Sequence, residues 1–270
     1  RALYSPPGAR VGVERSEYVR RLDDRLDTAA YADVDASANG LQVGSDRGTV
    51  DHVAFAVDAA TATIEAAADA GADVLVVHHG ISWGGIDRVT GRAYDRIAAL
   101  ADHDIALYVS HLPLDGHADL GNAAGVAAEL DLADREPFGE LGPVTIGTIG
   151  ETEAPRSAAA IRETLDGFEG QSDDDPSPTQ VLDFGPDEIE RVAVVTGSGT
   201  DWLDEAVEAG ADALITGEGK GKAYHEAREA GLTVFLAGHY ATETFGVRSL
   251  EALTAEWGLE TTYLSHPTGL

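Results

Sequence analysis

Short apolar runs recur along the chain: Val53–Val57, Val74–Val77, Ile105–Val109, Val192–Val195, Ala213–Ile215 and Leu232–Leu236. Each is too short for a core helix and too continuous for a strand with one wet face, so each reads as a strand buried on both sides. Stretches with helical spacing separate them. This alternation predicts an α/β protein built on a mostly parallel sheet with helices on both faces. Ser16–Tyr31 reads as an amphipathic helix, with Ser16 as its N-cap and Val19, Leu22 and Leu26 on one face. Arg156–Leu165 reads as a further helix, Gln171–Gln180 as a polar loop and Thr179–Gly185 as a strand.

The pattern occurs twice. VAFAVDAATATIEAAADAGADVLVVHHG (Val53–Gly80) aligns without a gap on VAVVTGSGTDWLDEAVEAGADALITGEG (Val192–Gly219). Both read strand, turn, helix, Gly-Ala-Asp, strand, loop, and the Gly is the left-handed residue that ends a helix. The likeness continues through IALYVSHLPLD (Ile105–Asp115) and LTVFLAGHYATE (Leu232–Glu243). Each half thus places a His just past a buried strand and an acid four residues later: His111 with Asp115, His239 with Glu243. Two related lobes are expected, residues 1–130 and 131–270, with no domain inserted between them.

Composition narrows the chemistry. There are 48 acids against 18 bases among 270 residues, a net charge of −30, and only Lys220 and Lys222 are Lys. Such a coat of carboxylates suits a protein kept soluble in high salt and argues against a nucleic-acid partner, which needs a basic face. There is no Cys, which excludes disulfides, thiolate catalysis, Cys-bound zinc and iron–sulfur clusters. No apolar run approaches the roughly 20 residues of a membrane span, and RALYSPPGAR lacks the apolar core of a secretion signal. A cytoplasmic protein without a membrane partner is expected.

The remaining metal-binding side chains collect where an α/β sheet presents its ligands, beyond the carboxyl ends of the strands. His78 and His79 end one strand, and the two His-x-x-x-acid pairs follow two others. If the lobes face each other, four imidazoles and two carboxylates meet, a set suited to a pair of divalent ions: Zn, Fe, Mn, Co or Ni. Neighbouring strand residues point to opposite faces, so the doublet can serve two ions if the backbone turns at the strand end. His111 can instead orient Asp115 without touching a metal. Trp83 can pack near the site or stack on a base. Asn39–Gly44 is either a turn entering a strand or part of the pocket wall. Thr196–Thr200 (TGSGT) places amides where a helix N-terminus would receive an anion.

Taken together, NGLQVG (39–44), VLVVHHGISW (74–83), SHLPLD (110–115), GPVTIGTIGE (142–151), VAVVTGSG (192–199), DALITGEGK (212–220) and AGHYATE (237–243) resemble the NIF3 family, also called DUF34. The motifs run in the family's order over nearly the whole chain. Gly80 stands where the family's usual His-His-Pro has proline. The resemblance implies two α/β lobes with a dinuclear metal site between them, assembled as a toroidal homohexamer. It implies His78, His79, Asp115, His239 and Glu243 as ligands, Glu243 as a bridge, and His111 at the site.

Function follows less directly. A dinuclear-metal hydrolase acting on a small molecule or nucleotide is one reading. The family's name attaches a GTP cyclohydrolase activity, in which water adds at C8 of guanine and formate leaves. Hydrolysis of a phosphoester is another, and a non-enzymatic metal-binding ring or scaffold a third. With Asp115 and Glu243 committed to metal, a separate proton shuttle is needed, for which Glu218, His111 and His225 are candidates.

Overall fold

The computed structural model describes residues 12–171 and 178–270. The N-terminal stretch and most of the Gln171–Gln180 loop lie outside them. The strands are β1 (Val13–Glu14), β2 (Gly40–Val43), β3 (Thr49–Val50), β4 (His52–Asp58), β5 (Val74–His79), β6 (Ala106–Val109), β7 (Ala133–Leu141), β8 (Val144–Arg156), β9 (Gln180–Leu182), β10 (Ile189–Val194), β11 (Ala213–Thr216), β12 (Thr233–Leu236) and β13 (Glu260–Tyr263). The helices are α1 (Arg15–Leu26), α2 (Thr61–Asp69), α3 (Arg92–Asp102), α4 (Leu112–Asp115), α5 (Asn122–Glu129), α6 (Ala158–Asp166), α7 (Leu203–Glu208), α8 (Ala223–Ala230), α9 (His239–Thr242) and α10 (Thr244–Glu256). None of the described helices is long and apolar enough to cross a membrane.

Two sheets carry the fold, in the orders β13-β4-β5-β6-β2 and β7-β8-β10-β11-β12-β9. Their centres are the two copies of the repeat. β4, β5 and β6 are parallel, in the register Val53–Val74–Ala106, and β10, β11 and β12 are parallel, in the register Val192–Ala213–Thr233. The expectation of a mostly parallel sheet holds for the first sheet, where β13 also runs parallel to β4, and in the second sheet for the central triplet. β2, β8 and β9 add antiparallel to their flanks, and β7 pairs antiparallel with β8. The β7–β8 hairpin turns through Gly142 and Pro143, with Gly142 in the left-handed region at φ +60°.

Period-two alternation divides each central strand between two cores. In β4 and β5, Val53, Phe55, Val57, Val74 and Val76 join the core under α1 and α10 with Leu22 and Leu250. Ala54, Ala56, Leu75 and Val77 join the core under α2 and α3 with Ile64 and Leu100. The second sheet is covered likewise: Ile161 and Leu165 of α6 lie in the core on one face, and Leu203 of α7 and Ala227 of α8 in the core on the other. Both AGAD glycines are left-handed, Gly71 at φ +73° and Gly210 at φ +72°.

Local boundaries shift where capping chemistry differs from the expectation. α1 starts at Arg15 after Glu14, with no side-chain cap, and Ser16 lies inside its first turn. α6 starts at Ala158, because Ser157 caps it by accepting from the Ala160 amide and Arg156 still belongs to β8. The strand after the polar loop is confined to Gln180–Leu182. One departure is topological: β13 pairs with β4 and α10 packs on the first sheet, so the end of the chain belongs to the first lobe.

The packing of α5 on α10 yields a test. A Cβ on Gly125 would lie 2.4 Å from the Phe245 Cβ. Alanine favours a helix over glycine by about 1 kcal/mol, whereas overpacking costs about 1–3 kcal/mol. Gly125→Ala should therefore lower the denaturant midpoint; a raised midpoint would mean the helices are not in close contact.

Candidate metal centre

The carboxyl ends of β5, β6 and β12 meet between the lobes. His78 and His79 are the last residues of β5, their rings 4.6 Å apart. His111 precedes α4 and Asp115 ends it. His239 opens α9 and Glu243 follows it. Both His-x-x-x-acid pairs therefore span a single helical turn, the spacing that stacks two side chains on one face. His239 Nε2 lies 3.2 Å from Glu243 Oε1. The first copy departs from this pairing, since Asp115 Oδ1 faces His78 Nε2 at 3.5 Å.

All four imidazoles are turned the same way, with Nδ1 against an acceptor. His78 Nδ1 donates to the Ser110 carbonyl, His79 Nδ1 to Asp58 and His111 Nδ1 to Asp35, each at 2.9 Å. His239 Nδ1 faces Glu218 Oε1 at 3.2 Å. A neutral ring that donates from Nδ1 carries its lone pair on Nε2. Three of these Nε2 atoms point at Glu243: His78 at 3.4 Å and His239 at 3.2 Å from Oε1, His79 at 3.3 Å from Oε2. Lone pairs facing a buried carboxylate repel it unless a cation lies between.

The fit to metal can be judged on these atoms. His78 Nε2 and Glu243 Oε2 are buried with no hydrogen-bond partner. Ligands about 2.1 Å from a tetrahedral ion stand about 3.4 Å from one another, close to the separations above. Ligand atoms of His78, Asp115 and Glu243 gather within 4.8 Å of one another, as do those of His79, His239 and Glu243, and those of His78, His79 and His111. The buried cluster can therefore hold metal.

Without metal, protons must supply the positive charge. Burial opposes a charged His78, but Asp115 and Glu243 outweigh it and raise its pKa to about 10. Burial opposes a charged His239 too, and Glu243 and Glu218 raise it to about 9. Burial alone would raise Glu243, yet the facing histidines hold it well below the usual carboxylate range.

Further residues position the cluster, and of these Asp35 and Asp58 did not stand out in the sequence. Asp58 meets His79 because the two are register partners in β4 and β5. Asp35 accepts from His111 Nδ1, the Ser37 and Leu112 amides and the Asn39 side chain, while Asn39 Oδ1 accepts from the His111 amide. Gln42 Oε1 accepts from the Ile81 and Ser82 amides and so anchors the loop after the doublet. Asn39–Gly44 thus both enters a strand and holds the site; the amide side chains of its Asn and Gln were the signal for the second role. Asn122 donates to Asp115 Oδ1 at 2.8 Å, and the Thr196 hydroxyl donates to the same oxygen at 3.1 Å.

Two candidates drawn from residue type take other places in the geometry. In TGSGT the amides of Gly197 and Gly199 donate to Thr242 and Thr216 hydroxyls, so neither is left for an anion. Gly197 serves by its size instead: at φ +61°, a Cβ there would lie 2.3 Å from Glu243 Oε1. His225 is exposed on α8 with its ring against Tyr224, and it is not among the clustered histidines.

A sequence profile of the Duf34/NIF3 (NGG1p interacting factor 3) family matches residues 13–268. The chain belongs to the NIF3 family. A family relative in Halobacterium salinarum named "GTP cyclohydrolase 1 type 2 homolog" is 59% identical over 255 residues, covering 94% of this chain and 99% of the relative. One of the same name in Archaeoglobus fulgidus is 42% identical over 257 residues, covering 94% and 99%. The structure of a protein titled ybgI, of unknown function, superposes with a TM-score of 0.86 at 33% identity, covering 96% of this chain and 100% of that one. TTHA1606 of Thermus thermophilus superposes with a TM-score of 0.85 at 38% identity over the same shares.

The electrostatics predict a sign. His78 and His239, with pKa values raised to about 10 and about 9, are protonated in metal-free protein at neutral pH. Metal must displace those protons, so binding should release about two per chain and tighten as pH rises towards 9. Calorimetry in buffers of different ionisation enthalpy measures this; affinity flat with pH, or net proton uptake, would contradict it.

Proposed function

We propose that this chain is a dinuclear-metal-dependent hydrolase. His78, Asp115 and Glu243 would hold one divalent ion, and His79, His239 and Glu243 the other, with Glu243 as the bridge. The observation that carries the reading is the convergence of three Nε2 atoms on the buried Glu243 carboxylate, at 3.2–3.4 Å. Zn, Fe, Mn, Co and Ni all suit this donor set.

Divalent ions bound there would polarise the attacked bond and acidify a water at neutral pH. The chain's own part is to orient and to move protons. Ser110, Asp58 and Glu218 fix the rings that face the centre. His111, backed by Asp35 and lining a cavity of about 450 Å³ over the cluster, is the group we assign to hold a proton at Nε2. Glu218 is its alternative, beside His239. The cyclohydrolase reaction carried by the relatives' name, opening of the guanine imidazole ring with loss of formate, is the narrower form of this reading.

A homohexamer is part of the same proposal. Ile86, Val89 and Tyr94, which follow the doublet, are 39%, 46% and 58% exposed, an apolar stretch suited to contact with further copies of the chain.

Metal content per chain is the decisive measurement. The wild type should hold about two ions, and a folded His78→Ala/His239→Ala variant should hold none. Product should then form only in the loaded wild type, with formate the product sought from GTP. Equal metal in both proteins, or none in either, would sink the reading. Two ions with no turnover of any substrate would leave a metal-handling ring.

A further inference from the structure

The cavity above the cluster has a tryptophan from each lobe in its wall, Trp83 from the loop after β5 and Trp202 from the turn after β10. Trp83 is 44% exposed, and its ring stands edge-on to His111 with centroids 4.9 Å apart. Its backbone is fixed, since Ser37 bridges to it and the Gly84 amide donates to the Ala36 carbonyl. Trp202 is oriented by its indole N–H, which donates to the Glu140 carbonyl at 3.1 Å, and it rests against the core that holds Ile146 and Val195. Two oriented aromatic faces beside the histidine cluster favour a flat ligand.

The same wall lacks what a polyphosphate needs. Among the described residues, no Lys or Arg lines the cavity. Lys220 and Lys222 are both paired with Asp201. The Gly197 and Gly199 amides are occupied, and the Thr196 hydroxyl is given to Asp115. A chain of net charge −30 gives a polyphosphate no partner in this wall beyond the ions that the centre would hold.

We propose that the substrate of this centre is a neutral planar heteroaromatic ring, as a free base or a nucleoside, stacked against Trp83 and Trp202. This rests on the hydrolase reading and narrows it away from nucleoside triphosphates.

The test uses the metal-loaded full chain with inosine, inosine triphosphate and inorganic tripolyphosphate as probes, followed by calorimetry. Inosine should bind within about ten-fold of the triphosphate, and tripolyphosphate more weakly than either. Trp83→Leu and Trp202→Leu should each weaken inosine about ten-fold, the range of base–aromatic stacking, with metal content unchanged. Trp83→Phe and Trp202→Phe should restore binding, because the face is kept. The proposal is overturned if inosine fails to bind at millimolar concentration, if the triphosphate binds far more than ten-fold tighter, or if the Leu variants bind inosine like the wild type. Inosine binding that depends on the tryptophans in a protein holding no metal would fail the hydrolase reading while leaving the stacking site in place.

Discussion

A carboxylate taken out of water must be given positive charge, and Glu243 is 3% exposed with imidazoles from β5 and from its own helical turn aimed at it. The cost of leaving such a group uncompensated is several kcal/mol, a large share of the stability of any fold. Much of the surrounding structure follows from meeting that demand. β5 ends on two histidines, Gly197 lets backbone approach the carboxylate, and each ring is held from behind by an acceptor. The arrangement tolerates protons but suits metal better, because one divalent ion answers several lone pairs at once.

The two halves show how a duplicated unit yields a one-sided centre. Each contributes three parallel strands and a one-turn helix bearing His and acid. In the second copy the pair points at the common centre. In the first, His111 is drawn to Asp35 and Asp115 is held by Asn122 and Thr196. The strand before it differs as well: β5 ends on His78-His79 where β11 is followed by Gly217-Glu218. The first copy therefore supplies most of the ring nitrogens, and the second supplies the carboxylate they share.

The central triplets, the AGAD turns and the clustered histidines were legible because burial, helix termination and strand-end position each leave a local mark. His78, His79, His239 and Glu243 declared themselves by spacing within a repeat. The β7–β8 hairpin did not, since exposed residues such as Glu136 and Glu140 dilute its alternation. Asp35 and Asp58 were hidden for another reason. In a chain with 48 acids, one more Asp carries no signal, and only tertiary register places it behind a histidine. His225 was drawn in by type alone, and an exposed helix face keeps it apart.

The return of β13 to the edge of β4 means that the second lobe is, in topological terms, spliced into the first. During synthesis β4 emerges well before its outer partner, with the whole second lobe made in between. At about 5–20 residues per second that interval is about 10–40 s. Throughout it the first sheet has an open edge at β4, a template for pairing with other chains. The net charge of −30 opposes such pairing between copies, and β13, when it arrives, becomes the new edge.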